Sequence, residues 1–164
     1  MSARAPRLVI GGTGSGCGKT TITCALLQAF VERGLDTAAF KCGPDYIDPM
    51  FHSRIIGTRS RNLDAFLCGR EQVPALLQHS AGRDISVIEG VMGYYDGLAG
   101  TSSENSTADI ARLTQSPTVL VVSAKGMSLT LAALLRGFLQ FEQNTIRGVI
   151  LNGISPRMTD YYAG

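Results

Sequence analysis

Leu8-Val9-Ile10-Gly11-Gly12-Thr13-Gly14-Ser15-Gly16-Cys17-Gly18-Lys19-Thr20-Thr21-Ile22 decides how the rest of the chain is read. An apolar run leads into glycines, then Lys-Thr, then a segment with helical spacing of apolar residues. That order is strand, turn, helix, the setting in which a glycine-rich loop cradles phosphate. Its glycines let successive N–H groups point into one concavity, and the helix N-terminus adds the positive end of its dipole. Lys19 supplies a point charge for outer phosphates, and the Thr20 hydroxyl is placed to meet a magnesium ion on them. Gly12, Thr13, Gly14, Ser15, Gly16, Cys17, Gly18, Lys19, Thr20 and Thr21 are the expected nucleotide-binding residues. The usual spacing is G-x-x-x-x-G-K-[ST]. Counted from Gly12, this loop has five intervening residues and is one residue longer.

Bulk properties bound the rest. The 164 residues, 45% apolar and 17% charged, suit one domain with a real core. A net charge of +2 gives no electrostatic case for nucleic acid or an anionic membrane. The apolar stretch from Met127 to Leu135 is too short and interrupted to span a bilayer. Met1 to Pro6 holds no hydrophobic region of signal length, and the expectation is a cytoplasmic protein. The four cysteines form no C-x-x-C pair, which argues against zinc and against a disulfide framework. Cys17 sits at a helix N-terminus, where a thiol is open to oxidation or alkylation.

Downstream, apolar runs alternate with helical periodicity. A first helix is expected from Lys19 to Arg33, stopped by Gly34, and a second strand from Thr37 to Lys41. The loop Cys42-Gly43-Pro44-Asp45-Tyr46-Ile47-Asp48-Pro49 then leaves the carboxyl end of that strand, the edge where parallel sheets bind ligands. Asp45 and Asp48 either hold metal or position substrate, or they cap a short helix starting near Pro49. Lys41 faces the same edge. Thr58 to Asp64 reads either as a solvated basic connection or as a receiver of anionic substrate. A helix is expected over Glu71 to Ser80, and a third strand over Ile85 to Gly90. Glu89 closes that buried run where phosphate-loop enzymes keep a magnesium-binding acid. The loop Val91 to Gly100, with Tyr94, Tyr95 and Asp96, is read as a segment that shifts with nucleotide or closes over a flat substrate.

Ser106-Thr107 reads as a capped helix start, and Thr118 to Val122 as a strand covered on both faces. Leu129 to Gln143 is a helix apolar nearly all round, a buried element or the seat of a homodimer contact. A fifth strand, Ile146 to Leu151, brings Asn152 to the binding edge, where its amide can read a base. Pro156 to Gly164 reads as the approach to a helix that does not form. The fold expected is α/β, a doubly wound parallel sheet.

Together, the lengthened loop, Lys41 to Pro49, Arg61-Asn62-Leu63-Asp64, and Glu89 to Gly97 closely resemble the cobyrinic acid a,c-diamide synthase family. The resemblance covers nearly the whole chain. It implies a P-loop NTPase fold like that of dethiobiotin synthetase, with ATP and Mg2+ used to phosphorylate corrinoid carboxylates that ammonia then converts to amides. It implies Lys19, Lys41, Asp45, Asp48 and Glu89 as catalytic residues, with Thr20, Asp45 and Glu89 around magnesium and Asn152 at the adenine. Family members carry a C-terminal glutaminase domain, so residues 1–164 are expected to be the front of the synthetase domain, supplied by that domain or by free ammonia. Three other readings stay open. One is a dethiobiotin synthetase-like ligase, against which the Pro44 to Pro49 loop speaks. Another is an ATP-driven switch of the partition and septum-positioning kind, which carries an extra early lysine where residues 11–15 are Gly-Gly-Thr-Gly-Ser. The third is a nucleotide binder without turnover.

Overall fold

Strand β1 (Arg7–Gly12) runs inside the sheet of the computed structural model, which describes residues 6–80 and 82–163. The opening Met1–Ala5, read above for targeting signals, lies outside the described residues. From β1 the chain passes through helix α1 (Lys19–Glu32) to β2 (Thr37–Cys42). It continues through the short α2 (Ile47–Phe51) and a π-helical turn (His52–Ile56) to β3 (Arg59–Leu63). Next come α3 (Ala65–Cys68), α4 (Gln72–Gln78) and β4 (Ile85–Glu89). The second half holds α5 (Thr107–Thr114), β5 (Thr118–Ser123), α6 (Leu129–Gln140), β6 (Ile146–Asn152) and α7 (Pro156–Ala163).

The six strands lie in the order β3-β2-β4-β1-β5-β6, every pair parallel. Parallel strands need crossovers, and the helices that supply them cover both faces of the sheet. Alternation along the strands assigns each face its core. Val9, Phe40 and Ile88 point to one side with Val73, Leu77 and Ile110 from α4 and α5. Ile10, Ala39 and Val87 point to the other, against Leu27 of α1 and Ile56 of the π-turn. A third cluster joins Leu120 and Val122 to Tyr94 and to Leu131 of α6. As the sequence led us to expect, Ser106 caps α5, its Oγ accepting from the Asp109 N–H at 3.3 Å. No helix among the described residues is long and apolar enough to cross a membrane.

Three elements differ from the expectation. Arg59–Leu63, read as a polar connection, is a sixth strand. It sits at the sheet edge beside β2, where only one side must pair and polar side chains reach solvent. Pro156–Ala163 does form a helix, with Tyr162 donating to the Met127 carbonyl at 2.5 Å and packing beside α6. Helix α6 ends at Gln140 and buries only Leu131, leaving Leu129 and the following Phe141 exposed. Its all-round apolarity thus does not translate into burial in this fold.

Candidate functional site

Because all strands run the same way, their carboxyl ends share one edge, and the chemically loaded residues gather there. The loop after β1 is anchored from two sides. The Thr13 N–H donates to the Val121 carbonyl at 3.0 Å, and the Gly12 carbonyl accepts from the Tyr94 N–H at 2.7 Å. Helical bonding in α1 starts with the Ile22 N–H on the Gly18 carbonyl at 3.0 Å. The donors of Lys19, Thr20 and Thr21 precede that first bond, and have no helix carbonyl to serve. Gly18 takes φ 104°, ψ 16°, a conformation only glycine adopts easily. Lys19 is buried and folds back across the loop, its Nζ donating to the carbonyls of Gly14 at 2.9 Å and Met92 at 2.6 Å. Cys17 packs into the core with Ile10 and Leu27, so its thiol is screened from the reagents to which its helix-end position seemed to open it.

Beside the loop stands a charged cluster. Lys41 and Glu89 are register partners on β2 and β4, so their side chains leave the sheet edge together. The Lys41 ammonium lies 2.9 Å from Glu89 Oε1, 2.6 Å from Asp48 Oδ2 and 3.8 Å from Asp45 Oδ2. Thr20 Oγ1 donates to Glu89 Oε1 at 2.5 Å and lies 3.5 Å from Asp48 Oδ2. Burial alone would raise the pKa of Glu89, which is wholly enclosed. The neighbouring His52, the Lys41 charge and the Thr20 hydroxyl outweigh it and hold the carboxyl below its usual value. Lys41 is the mirror case. Burial disfavours its charge, but Glu89 and Asp48 raise its pKa above the ordinary lysine value. The buried ions are therefore mutually paired.

Asp45 and Asp48 separate into two roles. Asp45 Oδ1 accepts the Ile47 N–H at 2.9 Å and the Asp48 N–H at 3.4 Å, capping α2 as one of the two readings held. Asp48 is brought into the cluster by that same turn. It is Asp48, not Asp45, that comes near Thr20 and Glu89. Among the described residues no three His, Cys, Asp or Glu side chains form a metal cage by themselves. The oxygen set of Thr20, Glu89 and Asp48 still fits magnesium, which takes one or two carboxylates and completes its octahedron with phosphates and waters.

Other expected residues fall into place differently. Asn152 reaches the loop, its Nδ2 donating to the Cys17 carbonyl at 3.0 Å, so its amide braces the phosphate loop in this conformation. Asp96 Oδ2 accepts the Gly93 N–H at 2.9 Å and shapes its own turn. Tyr94 is fully buried, and Tyr95 donates to the Phe138 carbonyl at 2.6 Å while packing on Phe138 and Phe141. Both rings pack into the core around α6. The residue the sequence reading passed over is His52. It is wholly buried, with Nε2 at 3.4 Å from Glu89 Oε2 and Nδ1 at 3.3 Å from Ser60 Oγ. Its spacing of i+4 from Asp48, one helical turn on, was the available signal.

Residues 8–162 match the family described as the CobQ/CobB/MinD/ParA nucleotide binding domain. The chain is similar to hydrogenobyrinate a,c-diamide synthase of Streptomyces coelicolor, 50% identical over 92% of this chain and 31% of that protein. It is similar as well to cobyrinate a,c-diamide synthase of Thermoplasma volcanium, 46% identical over 93% of this chain and 34% of that protein. The chain thus spans about a third of the length of these curated relatives. Among solved structures, the kinase domain of Escherichia coli tyrosine kinase ETK shares the fold, with a TM-score of 0.66 at 17% identity over 97% of this chain and 71% of that one. A doubly wound parallel sheet, a lysine-closed glycine loop at its carboxyl edge and a match over nearly the full length agree: this chain belongs to the CobQ/CobB/MinD/ParA nucleotide-binding domain family, a P-loop NTPase fold.

Proposed function

We propose that this chain is the ATP-binding synthetase part of a cobyrinate or hydrogenobyrinate a,c-diamide synthase, an ATP-dependent carboxylate–amine ligase of cobalamin biosynthesis. The observation that carries the reading is the meeting of Lys41, Asp48 and Glu89 with Thr20 beside the Lys19-closed loop. The substrate class rests on the relatives' names and their 46–50% identity. A carboxylate is a poor acyl donor until one oxygen becomes a leaving group. A substrate carboxylate oxygen bonds to the terminal phosphorus of ATP, and the bond to the bridging oxygen breaks, releasing ADP. Ammonia then forms the C–N bond, the acyl C–O bond breaks, phosphate departs, and the nitrogen loses a proton. The ammonia comes from a glutaminase domain or from free solution.

The chain's residues divide that work. Lys19 leaves the Gly14 and Met92 carbonyls for the outer phosphates, and the N-terminal donors of α1 bind phosphate oxygens. Thr20 and Glu89 would hold magnesium, with Asp48 alongside, and the ion would supply positive charge to offset that of the phosphates. Lys41 supplies further positive charge where the transferring phosphoryl group develops negative charge. Asp45 keeps α2 in place and Asp48 stands by the reacting carboxylate. A groove of about 440 Å³, lined by Asp45, Tyr46, Met50, Arg54, Arg61 and Asn62, opens next to the cluster. Its apolar side chains and two guanidinium groups suit a macrocycle edged with carboxylates.

The test is ATP consumption with magnesium and ammonium, with and without cobyrinate, while amide formation is followed by mass. Corrinoid-dependent hydrolysis with one or two amides formed is the expected result. Tight ATP binding with no response to the corrinoid would overturn the ligase reading.

A further inference from the structure

We infer that His52 is a positioning residue for Glu89. Its Nε2–H holds the outer carboxylate oxygen, so that the inner oxygen stays turned toward Thr20 and Lys41. Glu89 is fully enclosed, and its two oxygens are treated unequally. Oε1 takes both Thr20 at 2.5 Å and Lys41 at 2.9 Å. Among the described residues Oε2 makes no other hydrogen bond, and the basic atom facing it is His52 Nε2 at 3.4 Å, likewise buried and with no other partner there. Two orphaned polar atoms facing each other in a sealed space are stable only if a proton lies between them. A small closing movement completes that bond, and the carboxylate is then pinned at both ends.

The local fold is built to deliver this ring. After α2 the helix widens to a π-turn at His52–Ile56, the kind of irregularity common at functional sites. The wider turn seats the imidazole between β4 and Ser60 of β3, whose Oγ lies 3.3 Å from Nδ1. With Ser60 donating to Nδ1, the ring proton belongs on Nε2, facing Glu89. The same segment carries Asp48, so one element places a carboxylate in the cluster and orients the cluster's other carboxylate from behind.

Glutamine and asparagine separate this role from that of an ordinary core histidine. The Gln amide nitrogen lies the same number of bonds from Cβ as His Nε2, and the Asn amide nitrogen the same number as Nδ1. The first readout uses the ligand-free protein: long-range nitrogen–proton NMR on the His52 ring. A proton on Nε2 is expected, whether or not Nδ1 carries one too. A neutral ring protonated only on Nδ1 would overturn the proposal. The second readout is ATP affinity by calorimetry with and without magnesium, for wild type, His52→Gln and His52→Asn. This arm rests on the magnesium site proposed above. The gain in affinity on adding magnesium should fall about tenfold in His52→Asn, the usual effect of removing a partner behind a metal ligand, and stay near wild type in His52→Gln. Equal behaviour of the two variants would refute the positioning role. Absence of any magnesium effect in wild type, with the proton still on Nε2, would instead refute the metal site and leave His52 oriented on Glu89.

Discussion

Gly18→Ala probes how tightly the phosphate loop is wedged against β6. At φ 104° an alanine is strained by about 1–2 kcal/mol. Its Cβ would also stand 2.3 Å from Asn152 Nδ2. Ordinary contact needs about 1 Å more, and the amide, unlike the strand backbone, is free to move. Moving it breaks the 3.0 Å bond to the Cys17 carbonyl, worth about 1 kcal/mol. The sum is about 2–3 kcal/mol. Gly16→Ala is the control, because it shares the positive φ, at 73°, yet a Cβ there meets nothing within 4 Å. Urea unfolding should therefore place Gly18→Ala about 1 kcal/mol below Gly16→Ala. Asn152→Ala should cost about 1 kcal/mol alone, and the pair Gly18→Ala with Asn152→Ala should fall short of additivity by a similar amount, since one hydrogen bond is lost only once. Equal midpoints for the two alanine variants, or strict additivity in the cycle, would refute the wedge.

Three further outcomes follow from the same geometry. Lys19→Ala should weaken ATP binding by about 100-fold or more, the loss of two charge-assisted bonds, as read by calorimetry; a change under threefold would remove Lys19 from the phosphates. Glu89→Gln should bind ATP in the absence of magnesium within about threefold of wild type, yet lose the gain in affinity that magnesium brings and about 100-fold in magnesium-dependent turnover; full turnover would sink the metal assignment. Alkylation at pH 8, mapped by mass, should modify exposed Cys68 and spare Cys42, whose thiol burial pushes up to about 12; rapid labelling of Cys42 in the folded protein would contradict its enclosure.

The parts legible in the sequence were those dictated by local chemistry. The strand, the lengthened glycine loop and Lys19-Thr20 announce one another within fifteen residues, because phosphate binding needs a contiguous backbone. Glu89 stood out in the sequence because an acid closing an apolar run must be paired, and Lys41 and Thr20 supply the partners. Apolar runs and helical spacing likewise foretold five of the six strands and the parallel, doubly wound sheet. Side-chain partners across strands were beyond reach of any local pattern. The edge strand Arg59–Leu63 buries little, so it carries no hydrophobic signature. Tyr94 and Tyr95 sit in a loop that reads as a lid, yet the core around α6 claims both rings. Asp45 and Asp48 are equivalent acids in the sequence, and only the turn into α2 makes one a cap and the other a neighbour of Thr20. His52 gains its meaning solely from the Lys41–Glu89 register and the π-turn that carries it beneath the carboxylate. The sequence by itself determined the fold class and singled out the glycine loop proposed to bind phosphate, since both depend on runs of neighbours. The tertiary structure alone decided which charges face one another, because that depends on register and burial between segments far apart in the chain.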